Sequence, residues 1–342
     1  MAADPIRRRS AVRLDNQNRC EGSSAEGISV GFPAVGDPLV GTRIGNYLMV
    51  GVLGKGGMGV VYQAIDTQLK RKAAVKILPD SMSRDVPALR RFLREAKAAA
   101  RIHHPNVVGI YEVGQRDRFH YIAMELVQGV SAEDLLRLRG PLNWQDALRW
   151  AADACRGLEA AHGAGLVHRD IKPANLVRGS DGVAKLLDFG LVKNTDPNDS
   201  AITQSGEVVG TPHYMSPEQC RSAVLDARSD LYSLGAALFE MLTGRPPYRG
   251  DAIEVINGHC NGPVPDPMAV DPKIPRGCAA IVRRAMAKDP GTRYQAARHM
   301  LADLEAALAS DGEAPSSSVR RRPPDSLWDR IVMAVQLLMG RG

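Results

Sequence analysis

Cysteine is scarce and unpatterned in this chain: five residues, at positions 20, 155, 220, 260 and 278, with no Cys-x-x-Cys. That argues against a disulfide framework or a thiolate metal site, and fits ordinary thiols in a reducing compartment. Excess charge is also small. The net charge is +6 over 342 residues and is dispersed, whereas nucleic-acid binding shows as a basic face or stripe. No apolar run follows Arg7-Arg8-Arg9, so no secretory signal is expected. No segment repeats at a fixed period. What is present, 44% hydrophobic and 24% charged residues, suffices for one large core or two lobes with tails.

Residues 1–46 mix Gly, Ser, Asp, Asn and Arg without an apolar period, and read as a disordered tail. From Tyr47 the texture changes. Residues 47–53 and 60–64 read as paired strands around a glycine-rich turn, and 73–78 as a third strand. Residues 87–102 switch to helical spacing, with Leu89, Phe92, Leu93, Ala96 and Ala100 on one stripe. Strand texture returns over 107–113 and 120–126. Beyond Gly129 the pattern is mainly helical. A segment over 144–163 has Asn143 as its N-cap, and 231–242 is apolar almost all round, as suits the centre of a core. Helices over 277–287 and 296–309 complete the set. A Ser/Pro/Arg-rich linker over 309–326 leads to an amphipathic helix over 327–342, with Leu327, Ile331, Val335 and Leu338 on its stripe. Its unbroken apolar stretch, 331–335, is far short of the ~20 residues that span a bilayer.

The chemistry is concentrated in a few motifs. Gly54-Lys55-Gly56-Gly57-Met58-Gly59 is followed by a β-branched run, where a dinucleotide fold would need a helix. It therefore reads as a hairpin flap whose backbone N–H groups can approach phosphate oxygens without a Cβ in the way. Lys76, between Val75 and Ile77, lies in a half-buried run where an unpaired ammonium is costly, so it needs anionic partners. His168-Arg169-Asp170-Ile171-Lys172-Pro173-Ala174-Asn175 is followed thirteen residues later by Asp188-Phe189-Gly190. Two carboxylates, an amide and a lysine at this spacing can hold a divalent metal and present a base to a hydroxyl. His168, between Val167 and Ile171, reads as a packed structural residue. The pair His103-His104 lacks metal-ligand spacing.

On these motifs, joined by Gly210-Thr211-Pro212-His213-Tyr214-Met215-Ser216-Pro217-Glu218, Asp230 and Arg293, residues 47–308 resemble a bacterial eukaryotic-like (Hanks-type) serine/threonine protein kinase. The resemblance implies an α+β, two-lobed protein kinase fold. A small antiparallel sheet with one helix forms the N-lobe (47–127), a larger, mainly helical C-lobe follows (128–308), and ATP lies between them. It implies transfer of the γ-phosphoryl group of ATP to protein Ser/Thr hydroxyls, with Mg²⁺, or Mn²⁺ in its place. Asp170 is then the catalytic base, Lys172 meets the transferring phosphoryl group, and Asn175 and Asp188 hold metal. Lys76 meets the α- and β-phosphates and the carboxylate of Glu95, for which Arg91, Arg94 and Lys97 are alternative surface partners. The nucleotide site takes in Leu53, Gly54, Lys55, Gly56, Gly57, Met58 and Gly59 of the flap. Val61, Ala74 and Val177 line the adenine pocket, with Met124 as gatekeeper and Glu125, Leu126 and Val127 as hinge. Ser216-Pro217-Glu218 stands where the family has Ala-Pro-Glu, with Glu218 paired to Arg293. Asp230 matches an anchoring aspartate, a role compatible with a helix cap. Lys172 and Thr211 mark the serine/threonine form.

Arg169 is suited to bind a phosphate on the segment that follows, which offers Thr195, Ser200, Thr203 and Ser205. Thr203 and Ser205 lie where relatives autophosphorylate, so a self-activating enzyme in signal transduction is expected. Two other classes stand beside this reading. A pseudokinase scaffold usually lacks one of Lys76, Asp170 or Asp188, all present here, and a small-molecule phosphotransferase has no need of the segment 211–218. The expected partners are protein substrates and no nucleic acid, with a kinase-domain dimer left open. The segment 320–342, with Arg320-Arg321-Arg322, is expected to dock on a membrane surface or a partner. The expected location is cytoplasmic, with attachment at the inner face of the plasma membrane. Whether the chain is a piece of a longer receptor kinase is left open.

Overall fold

A computed structural model describes residues 37–56, 59–189 and 212–310. The expected phosphorylation sites Thr203 and Ser205, the linker and the terminal helix lie outside the described residues, as does most of the N-terminal tail.

The first part is a six-stranded antiparallel sheet in the order β1-β2-β3-β4-β6-β5. Its strands are β1 (Arg43–Ile44), β2 (Tyr47–Gly56), β3 (Gly59–Asp66), β4 (Arg71–Ile77), β5 (Ile110–Arg116) and β6 (Phe119–Glu125). Side chains alternate across the pleat, and the sheet is apolar on both faces. Tyr47, Met49, Tyr62, Ala64, Ala73, Val75, Tyr121 and Ala123 form the outer cluster. Ala74, Ile122 and Met124 belong to the inner cluster, which includes Phe92 and Ala96 of α2 (Val86–Ala99). Helix α2 starts at Asp85, whose side chain accepts from Ala88 N, and a short α1 (Asp80–Arg84) precedes it. The helical stripe of the sequence therefore faces the sheet, and α2 spans the cleft side of the N-lobe.

Two boundaries differ from the sequence expectation. Described structure begins at Asp37, ahead of residue 47. Leu39 and Val40 pack on the outer cluster, Gly41 N donates to Met49 O of β2, and Thr42 O accepts from Met49 N. Leu39 and Val40 sit in a turn ahead of the two-residue strand β1, so they show no period. The strand expected over 107–113 instead starts at Ile110, because the preceding residues are drawn to the other lobe. Asn106 Nδ2 donates to Ala184 O at 2.8 Å, and Val107 bridges Leu186.

The second part is helical around one core. It holds β7 (Gly129–Ser131), α3 (Ala132–Arg139), α4 (Trp144–Gly163), β8 (Leu176–Gly179), β9 (Ala184–Leu186), α5 (Pro217–Cys220), α6 (Ala227–Thr243), α7 (Ala252–Asn261), α8 (Arg276–Ala285) and α9 (Ala297–Ala309). Strands β7, β8 and β9 form a small antiparallel sheet, and β8 directly follows the loop 168–175. Asn143 caps α4, with its Oδ1 accepting from Asp146 N at 2.8 Å. Helix α6 is buried nearly all round. It starts at the cap Asp226 and stops at Gly244, whose φ of 74° favours glycine. At Gly235 a Cβ would come within 2.7 Å of Ala285 Cβ, so glycine lets α6 and α8 touch. Among the described residues, no helix is long and apolar enough to cross a membrane.

Candidate active site

The loop 168–175 is hung from the core by one carboxylate. Asp230, in the first turn of α6, is 1% exposed. It accepts the backbone N–H groups of His168 and Arg169, each at 2.8 Å, and pairs with His162 Nε2 at 2.8 Å. Charge-assisted bonds of this kind are roughly twice as strong as neutral ones. They hold Arg169 at a φ of +64°, a backbone state that a non-glycine residue rarely adopts. The cap of α6 is Asp226, so Asp230 has the anchoring role and not the capping one. His168 is buried, stacks on Phe189 with ring centroids 4.7 Å apart, and donates from Nε2 to Leu187 O at 2.9 Å. Burial pushes its pKa down, so the ring is neutral and structural.

The loop brings the polar groups together. Asn175 Nδ2 donates to Asp170 O at 2.8 Å and to Asp170 Oδ2 at 3.0 Å, and Lys172 Nζ lies 3.0 Å from the same Oδ2. Strand pairing of Leu176 with Leu186, and the bond from Leu187 N to Asn175 O, set Asn175 beside Asp188. Asp188 has a φ of +49° and takes Lys76 Nζ at 3.0 Å. Among the described residues, no group of three or more His, Cys, Asp or Glu side chains is placed to hold a metal. The donor set here is one carboxylate and one amide. That fits a hard divalent ion which takes its remaining oxygens from phosphate and water.

The expected ion pair between Lys76 and Glu95 is not formed. Glu95 Oε1 instead accepts from Arg169 Nη1 at 2.9 Å, while Lys76 is taken by Asp188. The surface cations Arg91, Arg94 and Lys97 do not hold Glu95 either; the guanidinium of the catalytic loop does. Sequence spacing names the members of this quartet and is silent on their pairing, because the four residues come from separate segments whose approach is set by tertiary packing.

Around them, Ala74 and Met124 sit side by side on β4 and β6, with Val61, Leu126, Val127 and Leu187 packed on the same cluster. Val177 is buried on β8. These are the residues expected to line the adenine pocket. Leu53 is 42% exposed at the edge. The Glu125 side chain turns to Lys185 Nζ at 2.9 Å and accepts from Gly109 N at 3.2 Å. Gly54, Lys55 and Gly56 end β2, while Gly57 and Met58 lie outside the described residues. At Gly59, with φ +112°, a Cβ would meet Ile77 O at 2.0 Å, so glycine is required there.

Below the loop lies a platform. Arg293, with its side chain 0% exposed, pairs with Glu218 through Nη1 at 2.7 Å and Nη2 at 2.9 Å. Burial by itself raises the Glu218 pKa, but the bonds from Arg293 and Ser229 outweigh it and hold the carboxyl below its usual value. Ser216 forms a capping box with Gln219, and Gln219 Nε2 donates to Arg169 O at 2.8 Å. Gln219 thus ties the platform to the catalytic loop. Sequence reasoning missed it, although Ser216-x-x-Gln219 is a capping-box pattern. Tyr214 adds a bond to Glu240 of α6.

Comparison with known proteins points the same way. The family profile described as "Protein kinase domain" matches residues 47–303. The serine/threonine-protein kinase PknB of Mycobacterium tuberculosis is 40% identical over 272 residues, covering 78% of this chain and 43% of that protein. A probable serine/threonine-protein kinase of Clostridium perfringens is 39% identical over 269 residues, 78% of this chain and 39% of that protein. PknE of Mycobacterium bovis is 39% identical over 282 residues, 82% of this chain and 50% of that protein. The chain therefore spans half or less of these curated relatives. Among solved structures, the PknI kinase domain of M. tuberculosis superposes with a TM-score of 0.63 at 28% identity, covering 78% of this chain and 98% of that chain.

Proposed function

The chain belongs to the protein kinase domain family, and on that premise we propose that it transfers the γ-phosphoryl group of ATP to serine and threonine hydroxyls of proteins. The observation that carries the reading is the meeting of Asp170, Lys172, Asn175, Asp188 and Lys76 in one cleft. Catalysis of this reaction is mostly positioning and charge neutralisation. Asp170, fixed by the Asn175 amide, orients the substrate hydroxyl and accepts its proton as the oxygen bonds to the γ-phosphorus and the bond from that phosphorus to the β–γ bridging oxygen breaks, releasing ADP. Lys172, beside the same carboxylate oxygen, meets the charge on the transferring group. Asn175 and Asp188 hold the divalent ion, Mg²⁺ with Mn²⁺ as a substitute, which when bound neutralises charge on the phosphates. Lys76 positions the α- and β-phosphates.

The pairing seen in the cleft supports a regulated form of this activity. Arg169 is occupied by Glu95, so a phosphate at Thr203 or Ser205, adding about −1.5 to −2 charges, competes for that guanidinium. Glu95 is then released towards Lys76, and Lys76 leaves Asp188 available to metal. Autophosphorylation at these residues is thus an activating event and places the protein in signalling. Docking of 320–342 on a membrane surface or partner, and a kinase-domain dimer, are further parts of the proposal.

The test is incubation with labelled Mg-ATP and a mixture of Ser-, Thr- and Tyr-containing peptides. Label on the Ser and Thr peptides with wild type, and none with Lys76→Met or Asp188→Asn, is expected. Label on Tyr peptides only, or equal label with the variants, overturns the assignment.

A further inference from the structure

Asp37 lies ahead of the kinase-domain match, which starts at residue 47, yet it contacts the nucleotide loop. Its carboxylate, 10% exposed, takes Lys55 Nζ at 2.9 Å, Tyr62 Oη at 2.8 Å and the backbone N–H of Leu39 at 3.1 Å. Lys55 is the side chain between Gly54 and Gly56 at the end of β2, and it is 60% exposed. Tyr62 is 2% exposed and belongs to the outer cluster of the sheet. Its neighbour Val61 packs on the inner cluster with Ala74 and Met124, the side of the adenine pocket. Asp37 therefore sits on the face turned away from the nucleotide and draws the Lys55 ammonium there. The anchor is itself fixed. Leu39 and Val40 pack on the outer cluster, Gly41 N donates to Met49 O at 2.9 Å, and Met49 N donates to Thr42 O at 3.0 Å.

We propose that Asp37 is a positioning residue for ATP, latching the glycine-bearing end of β2 through Lys55. A glycine-rich strand end carries a large conformational entropy. Fixing it from behind means that less order has to be imposed when phosphate binds its backbone N–H groups. The latch acts on nucleotide affinity and leaves the transfer step alone, since Asp37 touches neither substrate nor the catalytic loop. This inference rests on the nucleotide-binding reading of the cleft.

Asp37→Asn is the informative variant, because an amide oxygen still accepts from Tyr62 and Leu39 while the charge is gone. Three quantities are read on the full chain: the Kd of a non-hydrolysable Mg-ATP analogue, KM and kcat for ATP, and amide hydrogen exchange over 52–60 without nucleotide. Asp37→Asn is expected to raise Kd and KM about three-fold, the size of an ion pair with one exposed partner. Exchange over 52–60 quickens, and kcat and Tm stay at the wild-type value. Lys55→Met gives the same shift in Kd, and the double variant adds nothing to it, as required of two residues acting through one contact. Unchanged Kd and exchange in Asp37→Asn, additive shifts in the double variant, or a fall of kcat and Tm alongside KM each overturn the latch. Wild-type protein that binds no nucleotide overturns the latch and the kinase reading together. Normal wild-type binding with an indifferent Asp37→Asn overturns the latch alone.

Discussion

The two sides of the catalytic loop are held by different kinds of charge. Below it, Glu218 has Arg293 and Ser229, Asp230 has three donors at 2.8 Å, and both anchors sit deep in the large lobe. Above it, Lys76 and Glu95 of the small lobe reach Asp188 and Arg169 across the cleft in two separate pairs, which the proposed activation would re-sort. The contrast is one of degree. The Arg293 side chain is 0% exposed and Asp230 1%, so stranding either anchor's partner costs several kcal/mol, whereas Asp188 is 36% exposed and Arg169 20%, so solvent screens part of the cost of breaking their pairs. The large lobe is a platform, and the cleft pairs are where the proposed regulatory phosphate would act.

The sharpest way to break this contrast is Arg293→Met, which strands the Glu218 carboxylate. A loss of about 3–5 kcal/mol in urea unfolding is expected, and a loss under about 1 kcal/mol would remove the distinction between the two sides. Asp230→Asn comes next. It leaves the N–H groups of His168 and Arg169 with a neutral acceptor, and about 1–3 kcal/mol should go, with activity falling as the loop loses its anchor. Glu95→Gln should cost less than about 1 kcal/mol in stability and yet lower kcat/KM about ten-fold, since on the proposed reading its carboxylate moves to Lys76 in the active enzyme. A stability loss as large as that of Arg293→Met would place Glu95 with the platform.

A further effect is a pH dependence. Burial holds the His259 pKa down at about 3 and lowers that of His168 as well. The unfolded chain binds these protons more readily, so their contribution is whole above pH 6.5 and is lost as pH falls towards 3. Tm should decline between pH 7 and pH 5. A flat Tm over that interval would show that His168 and His259 are not held neutral by burial.

The motif residues announced themselves in the sequence because phosphoryl transfer needs particular side chains at particular spacings in one loop. The resemblance supplied the two-lobed fold, and the family match and the PknI structure agree with it. Helix α6 was readable from its all-round apolarity, and α4 from its stripe and the Asn143 cap. What escaped was pairing. Which carboxylate takes Lys76 depends on how elements far apart in sequence pack together, and no local pattern encodes that. Asp37 was hidden for a related reason, since its link to Lys55 joins a turn to a strand end through the packing of Leu39 and Val40. Helix α7 went unread although Asp251 and Glu254 form a capping box at its start.

The most direct test is to incubate purified wild type and Asp170→Asn with Mg-ATP and map phosphorylated residues by mass spectrometry. Phosphate on serine or threonine of the wild type alone, with Thr203 or Ser205 among the sites, is the result expected. No phosphate in either protein, under conditions where the nucleotide raises Tm by binding the folded state, would contradict the account and leave a nucleotide-binding scaffold.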